Sequence, residues 1–162
     1  MSVCSAYNDE RTRACDERIA YASMSAGDEE CLFCRIVGGE LPATVVHEDE
    51  RTVAFMDINP STRGHVLVVP RAHSSDVHDV APDDLAACYL AAKQVAGRQL
   101  ERLGADGVNL LNSTGRVAGQ TVLHFHVHVI PRYDDDGIRD PLPHHPGDPE
   151  EVRAAAAELR GT

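Results

Sequence analysis

Three histidines recur at every second position of one short run, His124-Phe125-His126-Val127-His128, and Val129-Ile130-Pro131-Arg132 follow at once. In extended backbone successive side chains point to opposite faces. The spacing therefore predicts a strand with three imidazoles on one face and Phe125, Val127 and Val129 on the other. The β-forming residues between the rings favour such a strand over a surface run with incidental histidines. Imidazole has an ordinary pKa nearer neutrality than any other side chain, so a row of three admits a metal site, a proton relay or a nucleophile. A second chemical pair is Cys31 and Cys34, whose two-residue spacing suits a single metal ion.

These groups need a frame. Cys31 to Val37 reads as a short helical turn stopped by Gly38-Gly39. Val45 to Glu48 and Thr52 to Met56 read as a hairpin through the charged turn at Asp49-Glu50-Arg51, and Asn59-Pro60 ends the second strand. His65 to Pro70 is almost continuously apolar, as a central strand buried on both sides must be. Pro82-Asp83-Asp84 opens one long helix with acidic residues in its first turn, and Gly104 closes it. Leu85, Cys88, Tyr89, Ala92, Val95, Ala96, Leu100 and Leu103 recur along that helix at steps of three and four, giving one apolar face to pack on a sheet. Val108 to Leu111 and Thr121 to Ile130 complete five strands. One helix before the last pair argues for an α+β fold with an antiparallel sheet over a βαβ fold.

Length and composition set the limits. A chain of 162 residues with 43% hydrophobic content suits one domain plus tails. Residues 1–29 are polar without periodicity and predict a disordered extension, with Met24 as an alternative start; residues 30–133 form the expected domain. Residues 134–162 read as an acidic, proline-rich tail that ends in a short helix beginning near Glu150. No apolar run approaches the ~18 residues of a membrane span, and no secretory leader is legible, so a cytoplasmic location is expected. Twenty-six acidic against 15 basic residues give a net charge of −11, and Lys93 is the only lysine. Such a surface repels nucleic acid and anionic membranes while leaving room for a small nucleotide in a local pocket. Five cysteines are an odd number and do not read as a disulfide framework. Cys88 lies on the apolar face of the helix as a small hydrophobe.

Three separated segments now stand in order: Phe55-Met56-Asp57-Ile58-Asn59-Pro60, then Gly64-His65-Val66-Leu67-Val68-Val69-Pro70-Arg71-Ala72-His73, then Gly119-Gln120-Thr121 ahead of the histidine run. From about Cys31 to Arg132 the chain resembles the histidine triad superfamily of nucleotide-binding hydrolases and transferases. The resemblance implies hydrolysis of a nucleoside 5′-phosphoryl derivative, either a phosphoramidate or a dinucleoside polyphosphate, through a nucleotidyl-histidine that releases a nucleoside monophosphate. His126 is then the nucleophile, since neutral imidazole is available at pH 7 without a helper base. His128, Gln120 and Thr121 serve the phosphate and leaving-group side. Asp57 accepts from the ribose hydroxyls, while Phe33, Ile36, Phe55 and Ile58 form an apolar slot for a purine base. Asn112 or Ser113 contacts the phosphate with Gly119, because the loop between Asn112 and Gly119 is one residue longer than the family pattern. The resemblance also implies that Cys31, Cys34, His73 and His124 make the Cys₂His₂ set that holds a structural Zn²⁺ in many bacterial and archaeal members. A homodimer is implied as well, with its two sheets joined edge to edge and the long helix, including Tyr89, Lys93 and Ala96, at the interface.

Two other functions fit part of this pattern. A zinc-stabilised nucleotide-binding or scaffold module needs the metal set but not His126. A nucleotidylyltransferase needs a second acceptor, for which the chain is short.

Overall fold

The computed structural model describes residues 31–138 and 147–160. The expected extension over 1–29, with Cys4, Cys15 and Met24, and the His144-His145 pair lie outside the described residues. The elements are helix α1 (Leu32–Val37), strands β1 (Val45–Glu48), β2 (Thr52–Met56) and β3 (Val66–Pro70), helix α2 (Pro82–Leu103), strand β4 (Gly107–Leu111), a 3₁₀ turn (Arg116–Ala118), strand β5 (Val127–Arg132) and helix α3 (Pro149–Arg160). The five strands form one sheet in the order β1-β2-β3-β5-β4, and every neighbouring pair is antiparallel. The expected α+β architecture is therefore the observed one.

Local chemistry accounts for the turns. Asp49 Oδ1 accepts the backbone N–H groups of Arg51 at 2.9 Å and Thr52 at 2.7 Å, which closes the β1–β2 hairpin. Helix α2 starts with Pro82 in its first turn beside Asp83 and Asp84, and stops at Gly104 with φ +66°. Strand β3 lies in the middle of the sheet and is buried along its whole length. Its side chains alternate: Val66 and Val68 join α2 in one cluster with Ala54, Cys88, Ala92, Val95, Phe125, Val127 and Val129. Leu67 and Val69 face the other way, into a cluster with Phe33, Val53 and Phe55 that α1 covers.

Two expectations need correction. The buried face of α2 is Cys88, Ala91, Ala92, Val95 and Gln99, whereas Tyr89 and Leu100 are 41% and 46% exposed. The apolar stripe is wider than the sheet beneath it, so its margin stays uncovered. Gln99 is buried because its amide donates to the backbone carbonyls of Gly64 at 2.9 Å and Val129 at 3.1 Å. The last strand begins at Val127, not at Thr121. Its register against β3 ends with Val68 opposite Val127, and continuing it would bring Phe125 to Pro70, which has no N–H to give. Phe125 instead donates its N–H to the carbonyl of Ser74 at 2.6 Å. His124 and His126 thus precede the ladder, yet the alternation persists, with Phe125 in the α2 cluster and both rings against Phe33.

Candidate active site

Cys31 stands at the N-cap of α1 and Cys34 in its first turn, so a two-residue spacing puts both thiols at one helix end. His73 follows β3 and His124 precedes β5, neighbouring strands that bring the two rings to the same end of the sheet. Cys34 Sγ lies 3.2 Å from His73 Nδ1 and 3.4 Å from His124 Nδ1, and Cys31 Sγ lies 3.4 Å from His124 Nδ1. All four ligand atoms lie within 4.8 Å of one another. Tetrahedral zinc with ordinary Zn–S and Zn–N bonds would hold sulfur and nitrogen about 3.5 Å apart. The fully buried His124 also donates from Nε2 to the Pro70 carbonyl at 3.0 Å, which leaves Nδ1 with its lone pair toward the thiols. That outer contact is how a metal-ligating histidine is normally fixed. The donor set fits a four-coordinate ion and leaves no position for substrate.

The next ring is tied to this cluster through the backbone. His126 Nδ1 lies 2.7 Å from the carbonyl of His124 and must donate to it, so in the neutral tautomer the free electron pair is on Nε2. Phe33 packs edge-on against the His126 ring at 5.3 Å, and the His128 ring lies 4.9 Å from it. His124 therefore faces the cysteines with its ring and aims His126 with its carbonyl. His128 Nδ1 in turn lies 2.9 Å from Nε2 of His65.

A family model described as the HIT domain matches residues 38–135. The chain belongs to the histidine triad (HIT) family. It is 50% identical over 107 residues to an uncharacterised HIT-like protein of Methanocaldococcus jannaschii, covering 66% of this chain and 82% of that protein. It is 34% identical over 130 residues to the adenosine 5′-monophosphoramidase of Schizosaccharomyces pombe, covering 80% of this chain and 95% of that protein. The crystal structure of a Zn-bound histidine triad family protein from Mycobacterium smegmatis matches with a TM-score of 0.66 at 39% identity, over 83% of this chain and 98% of that one.

Around the HIT triad, the loop before β5 is held by side chains that look inward. Gln120 accepts the Gly115 N–H at 2.8 Å and donates to the carbonyls of Ser75 at 2.6 Å and Val122 at 3.1 Å. Both ends of its amide thereby bond backbone and hold the loop before β5. Asn112 donates to the His126 carbonyl at 2.8 Å, and its own oxygen accepts from Thr114 at 3.3 Å. Ser113 is buried beside it, Thr121 is exposed, and Gly119 takes φ +92°, a left-handed turn that suits glycine.

On the opposite side, Asp57 Oδ1 accepts the Asn59 N–H at 2.8 Å, and Oδ2 lies 3.6 Å from His65 Nδ1. Phe33 and Phe55 pack edge to face at 5.5 Å, with Ile36 against their cluster. Ile58 is 90% exposed and stands apart from that group. The sequence pattern assigns no site role to His65. It is nearly fully buried. The signal was present in the period of β3, since His65 falls in step with Leu67 and Val69 on the side opposite the α2 cluster. Burial lowers the pKa of His65 against the pull of Asp57. Burial first, then the neighbouring His126 and His65, push His128 down to about 4, again opposed by Asp57. Both rings are uncharged at neutral pH. Cys88 is inert as expected: burial, then the Asp84 and Asp49 carboxylates, push its thiol up to about 12.

Proposed function

We propose that this HIT protein hydrolyses nucleoside 5′-phosphoryl compounds through a nucleotidyl-His126 intermediate. The observation that carries the reading is the 2.7 Å bond from His126 Nδ1–H to the His124 carbonyl, which commits Nδ1 and leaves Nε2 as the ring nitrogen available for attack. In the first step the Nε2 electron pair forms a bond to the α-phosphorus, and the bond to the leaving group breaks with its electron pair going to that group. In the second step water attacks the same phosphorus and the P–Nε2 bond returns its pair to the ring. The water's proton passes to solvent, and a nucleoside monophosphate departs.

The other roles follow from placement. His128 and the Asn112–Gly119 backbone serve the phosphate, with Ser113 and Thr121 at its edge. Asp57 takes the ribose hydroxyls, and Phe33 with Phe55 and Ile36 floors the purine site, with Ile58 able to close over it. Gln120 and Asn112 act by holding loop and triad. Zinc at Cys31, Cys34, His73 and His124 would be structural, fixing the carbonyl that aims His126. A phosphoramidate fits better than a polyphosphate chain: Arg116 is the only cationic side chain between Asn112 and Leu123, and Asp57 already supplies a carboxylate. The name of the S. pombe relative points the same way. Strand β4 is a sheet edge with Leu110 and Leu111 exposed, and α2 exposes Tyr89, Leu90 and Leu100 beside Lys93. We place the homodimer contact there.

The test is turnover of an adenosine phosphoramidate, a dinucleoside polyphosphate and an adenylyl sulfate by the wild type and His126→Ala, with mass spectrometry of acid-quenched wild type. The expected result is amine release by the wild type, a nucleotidyl adduct on His126, and at least a thousandfold loss in the variant. Nucleotide binding without turnover of any of the three would replace this reading by a binding module.

A further inference from the structure

His65 is a buried titratable group against the reacting face, and the proton on each ring there can be traced from one backbone amide. The Ser61 N lies 3.1 Å from His65 Nδ1. A backbone N–H can only donate, so Nδ1 is the acceptor and bears no proton. Asp57 Oδ2, at 3.6 Å, is beyond hydrogen-bond length from that nitrogen and does not compete for it. Because burial keeps His65 uncharged at neutral pH, its one proton sits on Nε2. That atom lies 2.9 Å from His128 Nδ1, which must then accept. His128 is uncharged too, so its own proton is on Nε2, at the ring position away from His65. The chain Ser61 N–H to His65 to His128 runs in one direction only.

We propose that His65 is a positioning residue that locks His128 as a standing Nε2–H donor to a phosphoryl oxygen, so that His128 is not the acid that protonates the leaving group. This rests on the hydrolase reading above. An uncharged imidazole that gave up its only N–H would become an imidazolate. His65 cannot replace that proton, because its Nε2–H is also its last. The leaving group therefore takes its proton from solvent water. A fixed donor aimed at charge that develops in the transition state stabilises it without moving a proton.

The lock is read directly from ¹H–¹⁵N correlation spectra of the imidazoles in the labelled full chain at pH 7. Both His65 and His128 are expected with Nε2 protonated and Nδ1 bare. In His65→Leu, His128 should show a share of the Nδ1–H form, and kcat should fall about tenfold (about 1.4 kcal/mol) with KM nearly unchanged. His65→Gln, whose amide can donate to His128, should recover most of that loss. His128→Gln keeps a donor but cannot act as an acid, so the dependence of kcat on leaving-group basicity should keep its slope. A wild-type His128 protonated at Nδ1, an unchanged His128 spectrum in His65→Leu, or a steeper slope in His128→Gln would each overturn the proposal. Should His65→Leu fail to fold, the wild-type spectrum still decides the protonation. Should the wild type turn over nothing, the hydrolase reading fails while the spectra still test the lock.

Discussion

Removing the metal should damage stability and nucleophile together, because one residue serves both. His124 faces Cys31 and Cys34 with Nδ1 at 3.4 Å and accepts from His126 Nδ1 through its backbone oxygen at 2.7 Å. If free zinc exceeds its dissociation constant a thousandfold, mass action stabilises the fold by about 4 kcal/mol. A folded unit of about 100 residues unfolds with roughly 0.2 kcal/mol/K of entropy, so losing that contribution lowers Tm by roughly 15–20 °C. The perturbation is Cys34→Ala, chosen because Cys34 touches both His73 and His124 and is buried. The assay is differential scanning fluorimetry of the wild type and Cys34→Ala, with and without a chelator, alongside metal content by mass spectrometry. The wild type should carry about one zinc per chain and lose the full shift on chelation, and the variant should start low and not respond. A ¹⁵N spectrum should also show His126 leaving its single Nδ1–H state. A native protein without metal whose Tm ignores the chelator refutes the reasoning, and so does an unchanged His126 signal after zinc is gone.

Asn112→Ala removes the 2.8 Å donor to the His126 carbonyl, and steady-state kinetics should show about a tenfold lower kcat, the value of one hydrogen bond, with little change in KM. Gly64→Ala should destabilise the protein by roughly 2–4 kcal/mol in urea titrations: Gly64 has φ +96°, and an added Cβ meets the Leu103 side chain. For His128 the folded pKa is about 4 against 6.5 for the ordinary ring, so between those values the unfolded chain binds the extra proton. Stability is complete above pH 6.5 and falls as pH drops toward 4, by at most ~1.4 kcal/mol per pH unit from this ring; urea titrations at pH 7 and 5 should show a smaller loss in His128→Gln than in the wild type.

What could be read from the sequence was whatever period and residue type impose. The alternation of His124 to Val129 gave the correct faces even where the ladder is absent, because extended backbone alternates with or without a neighbour. Cys31 and Cys34 were legible as a pair from their spacing, but their meeting with His73 and His124 depends on β3 and β5 being neighbours, a fact of topology. The boundary at Val127 was hidden for the same reason: it is set by Pro70 across the sheet and by Ser74 and Asn112, which take the hydrogen bonds of Phe125 and His126.

Gln120 and His65 show the deeper limit. Both are polar residues beside the triad, and the sequence pattern gives a substrate role to Gln120 and none to His65. In the folded chain the Gln120 amide bonds backbone through both its nitrogen and its oxygen, while His65 Nε2 lies 2.9 Å from His128 Nδ1 beside the reacting face. A side chain's chemistry depends on which of its polar atoms remain after the backbone has been satisfied, and that remainder is a property of the fold. The direction of the Ser61, His65, His128 chain follows from this, because one amide that can only donate fixes the proton on two rings in succession. Reversing the chain would require a backbone acceptor where Ser61 N–H stands. Replacement of the Ser61 amide N–H by an ester oxygen, through semisynthesis, should therefore free both rings to exchange tautomers, with His128 losing its single Nε2–H signal at pH 7. If the His128 spectrum stayed unchanged in that ester, the proton on His128 would have to be set by something other than His65.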